Sequence, residues 1–353
     1  MTPGPERGPV VAITMGDPAG IGAEVIVKAL ADPELRRAAR FVIYGLHEIL
    51  EYAAGQAELT PCWFRVPHEE LNGIQSGVVV ADYDEYGLLS PNIRRPTAEC
   101  GHASMRFLDD AIEATLTGRA HALVTGPIHK TSWSMAGYRF PGHTEKLAHA
   151  TGTRRVTMMF AGGRLRVALA SIHEPLFSLQ HTFTIGRVFQ PIDLLDQALR
   201  SWFGLERPRI AVAGLNPHAG ENGRFGDEEA RIIEPAIVMA RENGVCVEGP
   251  FPADTLFRQT VDDGRYDGIV AMYHDQGLIP VKMHAFDRAV NLTLGLPIIR
   301  TSPSHGTAMD IVARNAARPD SMAEAIRLAV RLACQRRATA RQSTAVAGDA
   351  AMG

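Results

Sequence analysis

The chain has 353 residues, 46% of them apolar and 21% charged, with 36 Lys plus Arg against 39 Asp plus Glu and a formal net charge of -3. That length suggests two domains or one large α/β unit with ample core, and the nearly balanced charge gives no reason to expect nucleic acid or a membrane as the main partner. No apolar run reaches membrane-spanning length, no signal-peptide pattern follows the polar Pro/Gly-rich start, and Cys62, Cys100, Cys246 and Cys334 share no CxxC spacing, so a cytoplasmic protein with reduced thiols is expected.

In chain order, Val10 to Met15 reads as a strand, GDPAGIG (Gly16 to Gly22) as a turn, and Glu24 to Leu35 as a helix, the opening of a parallel α/β layer. Phe41 to Tyr44 is the next strand and Gly45 to Ala53 a helix. Glu58 to Pro91 is irregular apart from a strand at Val78 to Ala81. Ser104 to Leu116 is helical, and Ala122 to Thr125 is a strand ending in GPIHK, Gly126 to Lys130. A second region begins near Tyr138, with His143 and Thr144 in a turn before a helix, then strands at Val156 to Phe160 and Leu165 to Ser171 and a helix at Ile192 to Trp202. A strand at Arg209 to Gly214 leads into a polar loop, Glu228 to Glu242 is helical, and Gly268 to Met272 is a strand. Asn291 to Gly306 is extended and loop-rich, Met322 to Cys334 is a helix, and Arg336 to Gly353 is a small-residue tail expected to be disordered. Alternating strands and helices predict an α/β/α sandwich with largely parallel strands. The most economical division is discontinuous: residues 1–130 plus 283–353 in one lobe, 131–282 in the other, with a cleft at the crossing.

Three of the strands deliver a histidine at the carboxyl end, where α/β proteins bind ligands. They are His173, His218 behind Asn216 and Pro217, and His274 ahead of Asp275 and Gln276. Three imidazoles are enough to hold a divalent metal with positions left open, although this long-range spacing is not certified by any short motif such as HExxH. For a phosphate, the available cations and hydroxyls are Lys282, Arg300 and Lys130 with Thr144 and His143. Lys282 and Arg300 stand in stretches almost free of other charge, where an unpaired cation would be costly. GDPAGIG lacks the GxGxxG spacing, so a Rossmann fingerprint is absent. Its glycines serve either a sharp backbone turn or the cleft itself. No GxSxG elbow and no Walker A motif occur.

Taken together, MGDPAGIG at Met15, GPIHK at Gly126, GHTE at Gly142, GLNPHAGE at Gly214, PADT at Pro252, MYHDQG at Met272, and VNLTLGLPIIRTS with HGTA from Val290 to Ala308 closely resemble the 4-hydroxythreonine-4-phosphate dehydrogenase family, from about residue 10 to about 334. The resemblance implies a fold of isocitrate and isopropylmalate dehydrogenase type. It also implies oxidation of a phosphorylated 3-hydroxy acid by NAD or NADP, followed by loss of carbon dioxide. It places one divalent ion (Zn, Mg, Co or Mn) on His173, His218 and His274, and substrate contacts on His143, Thr144, Lys282, Asn291 and Arg300. The dinucleotide falls to a loop of HGxA type, His305, Gly306, Thr307 and Asp310, with Asn216 nearby. Asp254, Asp275 and Lys282 are the candidates for proton handling. A homodimer is implied, with the active site at the interface and His274 supplied by the partner. The loop GENGRFGDEE is similar to that of a branch acting on 4-phospho-D-threonate or 4-phospho-D-erythronate, which stands as the alternative substrate class. A metallohydrolase or a non-catalytic metal-binding protein on the same scaffold is the more distant rival.

Overall fold

The computed structural model describes residues 8–71 and 76–350, with side chains described through Thr339. The polar start at 1–7 and the last three residues lie outside the described residues. The strands are β1 (Val10–Thr14), β2 (Arg40–Gly45), β3 (Trp63–Pro67), β4 (Val78–Asp82), β5 (Ala122–Thr125), β6 (Thr157–Gly162), β7 (Leu165–Leu169), β8 (Ile210–Ala213), β9 (Val247–Phe251), β10 (Gly268–Ala271), β11 (Val290–Leu294) and β12 (Arg300–Pro303). The chain divides into two compact units, Met1–Thr153 with Leu296–Cys334, and Arg154–Gly295 with Gln335–Gly353. The crossings expected near Lys130 and Lys282 fall inside these units. Trp133, on the helix Lys130–Met135, is fully buried and donates to Ser104 Oγ at 2.9 Å, which keeps that helix with the first unit. β11 pairs antiparallel with β6, which keeps it in the second.

In the first unit the strand order is β3-β4-β2-β1-β5-β12, parallel throughout. β1, β4 and β5 are buried at every position, as in a sheet covered on both faces, so they read as unbroken apolar runs. β3 is the edge, with Phe64 exposed. Its mixed sequence WFRVP lacks that apolar signature, so the strand was not expected.

The second unit runs β11-β6-β7-β10-β8-β9. The strands are largely parallel, as expected, the exception being β6, which is antiparallel to both β7 and β11. Only Gly163 (φ +58°) and Arg164 separate β6 from β7, and so short a connection can close only an antiparallel pair. One face packs Val167, Leu169, Ala211, Ile269 and Ala271 against Leu256, Leu278 and Val281. These come from the helices Ala253–Asp263 and His274–Ala285, neither of which was expected. On the other face a Cβ at Gly268 would meet Leu195 and Leu199 of the helix Ile185–Ser201. The second unit is therefore three layers deep.

The segment expected to be a disordered tail belongs instead to one helix, Asp320–Ala350. No Gly or Pro interrupts residues 321–347, and Ala, Arg and Gln hold a helix well. Among the described residues no helix is long and apolar enough to cross a membrane.

Candidate active site

The second unit carries the histidines. His274 is the first residue of the helix that follows β10, and its ring lies against that of His173, centroids 5.6 Å apart. Asp275 Oδ1 stands 2.7 Å from His274 Nδ1, the arrangement by which a carboxylate fixes a ligating imidazole and leaves Nε2 for an ion. Gln276, whose part the sequence did not reveal, ties the strand ends together: its Oε1 accepts from Met272 N and its Nε2 donates to the Gly214 carbonyl, both at 2.7 Å. The turn bearing His173 is anchored by Arg187, which pairs with Glu174 and donates to the Ala170 carbonyl at 3.3 Å. A cavity of about 470 Å³ opens here, lined by Ser171, His173, Glu174, Leu179, Tyr273 and His274 among others.

His218 is placed differently. It lies in the tight turn Pro217–Gly220 with φ 54° and ψ 29°, followed by Ala219 in the same left-handed region. For non-glycine residues this conformation costs on the order of 1–2 kcal/mol each, so something must hold it. Glu229 does: its Oε1 accepts from Leu215 N and Asn216 N at 2.8 and 2.7 Å, and its Oε2 from Asn216 Nδ2 at 3.0 Å. Glu229 is buried and opens a single π-helical turn, Glu229–Ile233, a device common at functional sites. Asn216, expected at the cofactor, thus has its amide engaged by Glu228 and Glu229. The His218 ring faces outward, 64% exposed, near Glu221 and edge-on to Phe225. Among the described residues, the three imidazoles are not gathered within one chain at distances that could share an ion. Within the chain the His274 ring lies beside that of His173, and His218 stands apart from both.

Asp254 and Asp275 line one groove of about 600 Å³ together with Gln276, Ile279 and Met283. Lys282, half-buried, is on the same helix as Asp275, seven residues on, a spacing that returns to nearly the same face. Asn291, on β11, has a buried Oδ1 without a hydrogen-bond partner.

The first unit holds Arg300, His143, Thr144 and Lys130. Arg300 opens β12, is 3% exposed, and donates through Nε and an η nitrogen to Thr125 Oγ1 at 3.1 and 2.7 Å. Burial lowers its pKa to about 10, partly offset by Glu145, so it remains a cation at neutral pH. His143 starts the helix His143–Ala150, and its ring packs edge-on to Trp133. Burial, and then the Arg300 charge, hold its pKa well below 6.5, so it is a neutral imidazole, with Nε2 buried and unpartnered. Gly142 provides no side-chain cap for this helix, so the amides beside His143 and Thr144 are open donors. A buried cation, a neutral imidazole and a helix N-terminus together suit a phosphate or carboxylate. Lys130 is exposed, its Cε 3.9 Å from where a Cβ on Gly142 would stand.

The choice left open for the GDPAGIG glycines resolves by contact. Ile21 N donates to the Thr307 carbonyl at 3.0 Å, and a Cβ on Gly20 would lie 3.0 Å from the Thr307 side chain, so this turn packs directly on the HGTA loop. Gly16 (φ +82°) would collide with the Pro127 carbonyl at 2.3 Å if it carried a Cβ. Asp17, unsuspected from sequence, is 1% exposed and accepts from Ala19 N at 2.9 Å, and burial raises its pKa. In the HGTA loop, His305 Nδ1 lies 3.0 Å from the Gly306 carbonyl and its Nε2 is buried without a partner. Thr307 is buried and Asp310 is exposed on the turn Met309–Ile311.

The class of the protein follows from comparison with known families: it is an NAD-dependent dehydrogenase that oxidises a CH–OH group and decarboxylates the product. The chain belongs to the family described as pyridoxal phosphate biosynthetic protein PdxA, whose model matches residues 37–329. A 4-hydroxythreonine-4-phosphate dehydrogenase of Geobacter metallireducens is 45% identical over 335 residues, covering 93% of this chain and 97% of its own. The enzyme of that name from Desulforapulum autotrophicum is 44% identical over 329 residues, covering 91% and 94%. The crystal structure of the Klebsiella pneumoniae 4-hydroxythreonine-4-phosphate dehydrogenase superposes with a TM-score of 0.82 at 41% identity, covering 92% of this chain and 99% of that one.

Proposed function

We propose that the chain oxidises 4-hydroxythreonine-4-phosphate with NAD in a divalent-metal-dependent reaction, and that the resulting β-keto acid loses carbon dioxide. The observation that carries the substrate class is Arg300, a guanidinium buried beside a neutral imidazole and open helix amides. The names of its relatives carry the substrate itself. In this reading Arg300, His143 and Thr144 bind the phosphate, and Lys282 and Asn291 bind the remaining polar groups. A bound divalent ion supplies Lewis acidity at the substrate oxygens through deprotonation of the alcohol and loss of carbon dioxide. The facing imidazoles of His173 and His274, with Asp275 orienting the second, fit such an ion. Asp275 and Asp254, which line one groove, and Lys282, on the same helix as Asp275, are assigned the proton transfers. His305, Gly306, Thr307 and Asp310 hold the dinucleotide, and the buried unpartnered His305 Nε2 supports that assignment.

Two imidazoles from one chain leave a third to be found. Phe177, Phe225, Met283 and Phe286 of the second unit are exposed, and large apolar side chains left to solvent favour burial at an interface. A homodimer in which His218 of a second copy completes the ion's ligands accounts for both features. The deciding experiment compares initial rates of NADH formation by metal-loaded protein on 4-hydroxythreonine-4-phosphate and on 4-phospho-D-threonate. A clear preference for the first is expected. Preference for the second would transfer the chain to the sugar-acid branch, and no turnover on either would end the reading.

A further inference from the structure

A second cluster of ligating groups lies on the first unit. β3 and β4 run parallel with Pro67 opposite Asp82, so the turns that follow them, His68–Glu70 and Asp84–Tyr86, leave the sheet side by side. Among the described residues, the ligand atoms of His68, Glu69 and Glu85 all lie within 4.8 Å of one another.

The His68 ring is held in place. It stacks on Tyr83, centroids 4.1 Å apart and 13° from parallel, and Tyr83 is itself fully buried against Phe107, with its hydroxyl donating to Asp110 at 2.9 Å. On the Nδ1 side, Asp110 Oδ2 lies 3.8 Å away and is paired with Arg106. The His68 side chain is 8% exposed, and its Nε2 is shut off from solvent and makes no hydrogen bond. Yet Glu69 Oε1 is 3.0 Å and Glu85 Oε1 3.3 Å from that nitrogen. A buried ring nitrogen set against two carboxylates, with a hydrogen bond to neither, calls for an explanation. At those separations the absence of a hydrogen bond means that the oxygens stand beside the nitrogen's bonding axis, where donors flanking a shared ion would stand. Bonds of about 2.0–2.2 Å to a tetrahedral ion set its donors roughly 3.3–3.6 Å apart, within a few tenths of an ångström of both distances. Two carboxylates also balance a dication.

We propose that His68, Glu69 and Glu85 form a divalent transition-metal site, suited to zinc, distinct from the His173–His274 pair. Its role is structural: the ion ties the turn after the edge strand β3 to the turn after β4.

Zinc itself is the probe, used with the full chain freed of metal by chelation. In a His173→Ala/His274→Ala background, calorimetric titration should show one zinc equivalent per chain, and zinc should raise the melting temperature. Adding His68→Gln should remove that equivalent, and Glu85→Gln should weaken it at least tenfold. Glu85 is exposed, so its substitution tests the site even if His68→Gln impairs folding. A background protein that takes up no zinc, or one whose affinity survives Glu85→Gln unchanged, overturns the proposal.

Discussion

In the first unit Arg300 is 3% exposed, held by Thr125, and set against a half-buried, neutral His143. In the second unit His218 is 64% exposed on a left-handed turn, and His274 is 36% exposed beside an exposed Asp275. The proposed anion cradle is therefore finished within its own unit, the desolvation of Arg300 met by hydrogen bonds made on folding. The imidazole set is not. Its strained turn is held by Glu229 but presented outward, as expected of groups whose partner is another molecule. Preorganisation of the first kind shows as binding energy already present in the free chain, and the second kind shows only on assembly.

The largest effect should come from the unfinished side. His218→Ala should lower metal-dependent kcat by about 10²–10⁴-fold, the scale of several kcal/mol of Lewis-acid stabilisation. Mixing His218→Ala with His274→Ala protein should restore part of the activity, since one shared site in a mixed dimer would keep all three imidazoles. Steady-state rates before and after mixing decide it, and no recovery would mean that the histidines act within one chain.

A smaller effect is expected at the finished cradle. Arg300→Met removes a charged donor from a buried site, with a loss of about 1.5–3 kcal/mol. The Michaelis constant for the phosphorylated substrate should rise about 10–100-fold while kcat changes little. Substrate-saturation curves test this, and a fall in kcat alone would move Arg300 from binding to chemistry.

The smallest effect concerns stability. Folded His143 has a pKa below its unfolded value of 6.5, so the unfolded chain binds the proton more readily. Its contribution to stability is constant above about 6.5 and declines as pH falls below it, by at most about 1.4 kcal/mol per pH unit. Urea unfolding at pH 7.5 and 5.5 should show a shallower loss in His143→Gln than in the unsubstituted protein. Equal slopes would mean that the ring takes a proton in the folded state.

The sequence by itself determined the α/β class and most of the buried strands, and it nominated the candidate site residues. Each of those leaves a local mark: an unbroken apolar run, or a polar residue at its carboxyl end. β3, β9 and the helices Ala253–Asp263 and His274–Ala285 left none, because an edge strand and half-exposed helices take their stability from neighbours distant in sequence. The supporting roles of Asp17, Thr125, Glu229 and Gln276 went unread for the same reason, as an ordinary polar residue becomes a support only when the fold closes around it. Which imidazoles meet was likewise a tertiary outcome. His173 and His274 come together because β7 and β10 are neighbours in the sheet, an adjacency set by hydrogen bonding between strands about a hundred residues apart, and nothing in the spacing of the histidines encodes it.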